Sequence, residues 1–487
     1  MTTPFRIIAS AALLLAAPAA AAAQHITLKT VPIPLGEQFQ LLPSRNLGMA
    51  NVHVAIDDPL LDPFTNPARG AAVDQLRIFA LPTVYSETNS TLGGRSFPLA
   101  AVIPGRTVFG TFAFAMQQVD NPNRWGWVPW QGDQSVFQEN SSSNIYAQGT
   151  IGARLGRSTS IGVSYYHADL DAVDAVNLLY GQSIAIDQDG SVGEAKFGLA
   201  HDLGGERRLD AVVLRSDVDM SHDVLYQEWN WVDNQPLIRS WNELNEDRTI
   251  TWGAHLRYTQ PLGDEGTRIG FIATGATKSH PKIPNYNIVN IPRDPGNSTA
   301  FNFGVGLSRI TKATAYSMEL IFEPGRSHTW AYADTALTTP GGVIQPGEKT
   351  VDNQFRYGNW NLAAGLQHET DRAGFQLGIR VHETRYSLEQ HNFLADTIRN
   401  TDERWIEWSP SWGGVVKFGD FDLRYTGRFT AKGSPGNVVF TTGRPDVLMA
   451  DAPRSGVDFV IGPTGPVSMP EFRVTMHRLM VSVPFGR

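Results

Sequence analysis

The chain has 487 residues, no cysteine, 46 glycines, 10% aromatic residues and a formal net charge of -8. This mildly acidic balance argues against a nucleic-acid partner, which needs a basic face. The missing cysteines exclude disulfides, thiolate chemistry and a lipidated thiol. After residue 23 no apolar run reaches about 18 residues, so no transmembrane helix is expected.

Residues 1–23 read as a cleaved secretory signal. Arg6 supplies the positive start, Ile7 to Ala17 the apolar stretch, and Ala21-Ala22-Ala23 before Gln24 the small-residue cleavage site. The apolar stretch is too short for an anchor and no stop-transfer charges follow it. Residues 24–74 show no clean alternation. They contain Gly48-Met49-Ala50-Asn51, Ala55-Ile56-Asp57-Asp58 and Asn66-Pro67-Ala68. Pro67 fixes φ and restricts Asn66, and Asn66 can hydrogen-bond nearby backbone, so the triplet ends regular structure. By itself that is only a turn leading into a strand. Because the segment is compact, rich in small residues and placed ahead of the first strand, it is also suited to plugging a lumen.

From residue 75 onward the dominant signal is period 2. In Ile250-Thr-Trp252-Gly-Ala254-His-Leu256-Arg-Tyr258 every second residue is apolar, and Thr251, Gly253, His255 and Arg257 lie between. The stretches Phe301 to Leu307, Phe375 to Val381 and Phe421 to Phe429 repeat it, the last with Asp422, Arg424, Thr426 and Arg428 on the other face. A soluble sandwich also alternates. Here, however, the strands are long enough to span a bilayer with tilt, and short turns alternate with long connections. The fold expected is therefore all-β, a transmembrane antiparallel β-barrel of residues 75–487, with residues 24–74 ahead of it either a lead-in or a luminal hatch. It has fourteen strands, or sixteen if the pair 75–86 and 96–104 joins the wall. Pro98 and Pro104 weaken that pair. Long extracellular loops are expected at roughly 120–142, 170–191, 220–245, 280–298, 324–353, 389–402 and 433–469.

Tryptophans gather toward the long-loop end. Trp125, Trp127, Trp130, Trp229, Trp231, Trp241, Trp405, Trp408 and Trp412 suit an interfacial girdle or loop caps. The last strand, Phe472 to Phe485, changes phase between Met476 and Leu479, which a bulge near His477-Arg478 would explain. Phe485 is an aromatic near the C-terminus, as expected of barrels inserted by the barrel-assembly machinery, although Gly486 and Arg487 follow it.

The twelve histidines form no paired metal motif, and no nucleophile elbow is present. His222-Asp223, His280 and His328 read as solvated loop or strand-end residues. Asp187-Gln188-Asp189-Gly190 starts like a calcium loop but lacks the later acidic ligand, so a tight turn is the plainer reading. No enzyme, metal or other cofactor is expected. By parity Arg154, Arg257, Arg380, Arg424 and Arg428 point into the lumen. Each could hold a substrate carboxylate bidentately, or belong to a structural network with inward acids such as Asp422 and Glu319, or with the hatch.

The segment Ser44 to Gly70 resembles the start of the long-chain fatty-acid transporter family of outer-membrane proteins, the FadL/TodX type, in its Gly-Met-Ala stretch, its Asp57-Asp58 element and its Asn66-Pro67-Ala68 triplet. Scaffold subunits of Bacteroidetes secretion systems share these features. The Gly-rich element has fewer glycines here than the family usually shows. The resemblance implies a hatch folded inside the barrel and passive uptake of hydrophobic small molecules, such as fatty acids or hydrocarbons, across a bacterial outer membrane. Trp125, Trp127, Trp130, Trp229 and Trp231 would then belong to the capturing loops. Residues 24–40 show no binding segment for an energising partner and no large globular plug exists, so TonB-type coupling is not expected. A secretion-scaffold barrel and an open porin are the competing readings.

Overall fold

The computed structural model describes residues 38–88, 93–121, 125–126, 136–137, 140–173, 183–232, 235–263, 266–280, 296–333, 336–419, 421–433 and 473–485. The wall strands are β1 (in two halves, Leu76–Ala80 and Thr83–Thr88), β2 (Gly93–Ile103), β3 (Val108–Asn121), β4 (Asn140–Leu155), β5 (Thr159–Leu170) and β6 (Ser183–Gly204). They continue as β7 (Arg207–Val232), β8 (Gln235–Pro261), β9 (Thr267–His280), β10 (Gly296–Ile310) and β11 (Thr314–Tyr332). The last five are β12 (Lys349–Glu369), β13 (Ala373–Asn392), β14 (Thr397–Lys417), β15 (Asp422–Gly433) and β16 (Arg473–Phe485). Each pairs antiparallel with the next, and β1 pairs with both β2 and β16, so the sheet closes on itself. The count is sixteen: the pair ahead of residue 105 belongs to the wall.

Leu81 and Pro82 interrupt β1, because a proline cannot donate to a ladder. The ladder is stitched across the break by Leu81 N donating to the Pro98 carbonyl at 2.9 Å and Leu479 N donating to the Pro82 carbonyl at 3.0 Å. Pro98 itself sits within β2, opposite Ala115.

The alternation holds as read. Phe301, Phe303, Val305 and Leu307 face outward and exposed, while Asn302, Gly304, Gly306 and Ser308 face inward. Trp252, Trp360 and Trp408 are exposed on the outside, and each lies nine residues before the end of its strand at Pro261, Glu369 and Lys417. At about 3.3 Å per residue and a tilt near 45°, they stand roughly 21 Å above the short-turn rim, close to the ~25 Å height of an apolar band. Trp412 departs from the expected clustering, since it is outside and only five residues from the end of β14. Trp405 faces inward and is buried beside Tyr386.

The connections differ from expectation. The stretch read as a long loop at 220–245 is instead the top of a β7–β8 hairpin paired as far as Val232 and Gln235. A strand of 26 residues rises about 60 Å at that tilt, twice the ~30 Å hydrocarbon core. Likewise β13 and β14 are separated only by residues 393–396. Asp187 to Gly190 are strand residues of β6, not a tight turn, and His222 is a buried strand residue of β7. The last strand has no bulge. Val474, Met476, Arg478, Met480 and Ser482 all face inward without a phase change. Val474 and Met476 are apolar side chains on the inward face, so the hydropathy pattern shifts there while the strand does not.

Met476 and Met480 point inward because the lumen at the short-turn end is packed like a protein core. Residues 42–75 lie there. Phe64 packs with Phe79, Leu81, Ala100 and Met480, and Met49, Val52 and Ile56 pack with Ala315 and Ala363. Val54 meets Ile272 and Ile321. A segment that touches inward side chains of strands all round the ring is inside it.

Candidate functional site

The site is this inner segment and the inward face of the wall that grips it. The segment begins near the long-loop end. Gln38 donates to the Ala172 carbonyl and accepts from Gln117, both at 2.8 Å, and Leu41 packs against Tyr146, Leu170, Val192 and Met220. It then descends, with the Leu42 carbonyl accepting from Arg478 at 3.1 Å and Arg45 pairing with Glu369 at 3.1 Å.

Two adjacent aspartates divide the work. Asp58 is buried and is the segment's internal clasp. Its carboxylate accepts from Ser44 Oγ at 2.6 Å, from the Arg45 and Asn46 amides at 2.9 and 3.0 Å, and from the Leu60 and Leu61 amides at 3.1 Å. Asp57 faces outward from the segment and meets Arg69 at 2.6 Å, Arg208 at 2.9 Å, Arg257 at 3.0 Å and Arg268 at 3.9 Å. Asp62 adds contacts to Arg69 at 2.9 Å and Arg257 at 3.9 Å, and Asp210 of β7 stands 3.7 Å from both arginines. Arg257 also donates to the Val54 and Ile56 carbonyls at 3.2 and 3.0 Å. Four guanidiniums and three carboxylates thus form one lattice joining segment to wall.

Burial alone would raise the Asp57 carboxyl, but Arg257, Arg69 and Arg208 together hold it well below the usual range. For Asp62 burial wins over Arg69 and Arg257, with Asp57 and Asp58 adding to it, and the carboxyl is pushed up to about 6. Burial would lower Arg69, yet Asp62, Asp210 and Asp57 hold it above its ordinary value.

Asn66 forms the turn that its position before Pro67 implies. Its Oδ1 accepts from Ala68 N at 3.0 Å, and its Nδ2 donates to the Leu199 carbonyl at 3.2 Å. Ala68 is buried, and its carbonyl accepts from Ser160 at 3.0 Å. The glycine-poor stretch carries a cost. Ala50 and Asn51 both adopt left-handed backbone, at φ 58° and 56°, where glycine is at ease and a side chain is strained. Arg380 holds that turn by donating to the Ala50 carbonyl at 2.7 Å, and Ser411 Oγ accepts from Ala50 N at 2.9 Å.

The wall makes room with glycine. A Cβ at Gly270 would lie 2.1 Å from the Val54 carbonyl oxygen, at Gly162 2.4 Å from that of Pro67, and at Gly378 2.3 Å from the Ala50 nitrogen. These inward positions are seats for the inner backbone.

All five inward arginines read from parity reach this assembly. Arg154 donates to the Ala71 carbonyl. Arg257 and Arg380 bind as described, and Arg380 stands 3.8 Å from Glu319, which accepts from the His53 and Val54 amides. Arg424 reaches Glu369 at 3.5 Å. With the Gln40 amide turned so that its oxygen faces Arg428, that oxygen accepts from both guanidinium ends at 2.8 and 3.0 Å. Asp422 pairs with Arg77 at 3.6 Å. Arg69, Asp62, Arg208, Arg268 and Asp210 were not singled out from sequence, although strand parity alone places Arg208 and Asp210 on one inward face. Trp127 and Trp130 lie outside the described residues. Trp125, Trp229 and Trp231 are strand residues.

Beside the lattice is a cavity of about 70 Å³ lined by His53, Asp62, Asn66, Arg69, Asp210 and Arg257. That is room for a few waters and far short of the ~300 Å³ of a small-molecule pocket. Higher up, inward side chains turn apolar and aromatic: Phe355, Tyr357, Tyr386, Leu388 and Trp405 cluster on β12–β14. Among the described residues no group of three His, Asp or Glu side chains is placed to hold a metal ion.

The class defined by these features is a closed sixteen-stranded barrel with an internally anchored segment in its lumen. No protein-family model and no curated protein matches the chain. Solved structures similar to it include the monoaromatic hydrocarbon channel CymD, at 10% identity over 92% of this chain and 99% of that one, with a TM-score of 0.43. A Pseudomonas aeruginosa FadL homologue is 13% identical over 92% and 99%, with a TM-score of 0.41. The ferric-catecholate import receptor Fiu of E. coli K12 is 11% identical over 85% and 82%, with a TM-score of 0.38.

Proposed function

We propose that this protein is a passive bacterial outer-membrane conduit for hydrophobic small molecules of the long-chain fatty-acid or hydrocarbon kind. The observation that carries the reading is the inner segment, locked by buried ion pairs and seated on wall glycines in the half of the lumen beside the short turns. An open porin needs a free aqueous path there. The resemblance of Ser44 to Gly70 to the FadL type supports the same conclusion.

Substrate enters at the long-loop end, where Leu41, Met220, Phe355 and Trp405 offer apolar contacts. It then leaves past the inner segment or through the wall. The lumen arginines hold the segment rather than a substrate carboxylate, because each already has a partner. Uptake of labelled long-chain fatty acid by a deletion strain, with and without the gene restored, tests this. Equal uptake in both strains would sink the reading. Steady ionic conductance of the wild-type barrel in a planar bilayer would favour a porin.

A further inference from the structure

Cross-strand register places four arginines together on the outside of β11–β14. Arg326 lies directly opposite Arg356, and Arg385 directly opposite Arg404. Arg356 pairs with Ser387, two residues along β13 from Arg385, so the two pairs occupy adjacent rows. All four are exposed. With strands about 4.8 Å apart and rows about 6.7 Å apart, they fall within a patch of roughly 14 by 7 Å.

The row below the patch is Phe322, Trp360, Glu383 and Ile406, with the Phe322 and Trp360 rings 4.6 Å apart. At a 45° tilt Arg385 and Arg404 stand about 5 Å above that aromatic row and Arg326 and Arg356 about 10 Å above it. Headgroups occupy the ~5–8 Å beyond each face of the hydrocarbon core. With Trp360 about 21 Å above the short-turn rim and an apolar band about 25 Å tall, the arginines lie about 1–6 Å above that band, level with outer-leaflet headgroups.

Acids only partly offset them. Arg404 pairs with Glu383 at 2.7 Å and Arg385 with Asp402 at 3.3 Å. Arg326 and Arg356 have no ion pair among the described residues. Like charges directly opposite on a sheet repel, and an anion between them reverses that sign. We propose that this patch binds the phosphate-bearing headgroup of an outer-leaflet glycolipid, with Arg326 and Arg356 as the bidentate clamp and Trp360 and Phe322 against its acyl chains. The inference rests on the outer-membrane placement proposed above.

The test uses the full chain, purified in detergent, washed free of lipid and titrated with rough lipopolysaccharide under native mass spectrometry. The same lipopolysaccharide after phosphatase treatment and inorganic phosphate are the other two probes. R326Q/R356Q should weaken retention of the intact lipid at least tenfold, and phosphatase treatment should do the same to the wild type. R309Q, an exposed cation near the short-turn rim, should change nothing, and inorganic phosphate should not displace the lipid. Heat-shifted gel migration checks that each barrel is folded. Equal retention by folded R326Q/R356Q, or displacement by equimolar inorganic phosphate, overturns the proposal. Recovery of the protein from a fraction other than the outer membrane would instead remove the placement, whatever the titration gives.

Discussion

Replacing Asp57 by alanine tests the lock directly. The change removes the carboxylate shared by Arg69, Arg208 and Arg257, at 2.6, 2.9 and 3.0 Å. Two acids, Asp62 and Asp210, then face four guanidiniums. Breaking a buried ion pair by deleting one partner costs about 3–5 kcal/mol. The Asp57 side chain is 29% exposed, so the lower end applies, about 3 kcal/mol. Each 1.4 kcal/mol is tenfold, so the ratio of docked to released segment should fall about a hundredfold. Single-channel recording in planar bilayers reads this as open probability. The wild type should be essentially closed, and D57A should flicker open about a hundred times more often. Silent D57A channels from a barrel with wild-type heat-shifted migration would refute the claim that this lattice holds the segment. R257Q should be at least as open, because Arg257 also carries the Val54 and Ile56 carbonyls.

Gly270→Ala pushes a Cβ to 2.1 Å from the Val54 carbonyl oxygen. Overpacking of about 1–3 kcal/mol should raise open probability roughly tenfold in the same recordings, without changing wall stability. Phe303→Lys puts a charge on the outward face at mid-height, where Phe303 is 51% exposed. It should cost about 2–4 kcal/mol in urea unfolding from bilayers and leave the channel closed. Asp62 titrates near 6 when docked. Because that value is raised, its contribution to docking is full below the ordinary carboxylate range near 4 and is lost as pH rises through 6, at most about 3 kcal/mol. Open probability should therefore rise between pH 4 and 6, and D62N should flatten that slope. Asp57 is lowered, so its contribution is present above about 4 and fades only in stronger acid.

Much of this was legible in the sequence, because the wall of a closed barrel obeys a local rule. An apolar outer face and a filled lumen force period 2, so the faces of Ile250 to Tyr258, Phe301 to Leu307 and Phe375 to Val381 could be read residue by residue. Parity also placed five arginines in the lumen. Three matters were decided only by the tertiary structure. Whether β1 and β2 join the wall depends on the ladder with β16, a pairing between residues some 400 positions apart that no local pattern encodes. Met476 and Met480 break the simple alternation because the inner segment turns that part of the lumen into a packed core. The partners of Arg257 and Arg380 depend on where residues 50–62 fold back, since an inward side chain has a direction from its strand but acquires a role only from what fills the space in front of it.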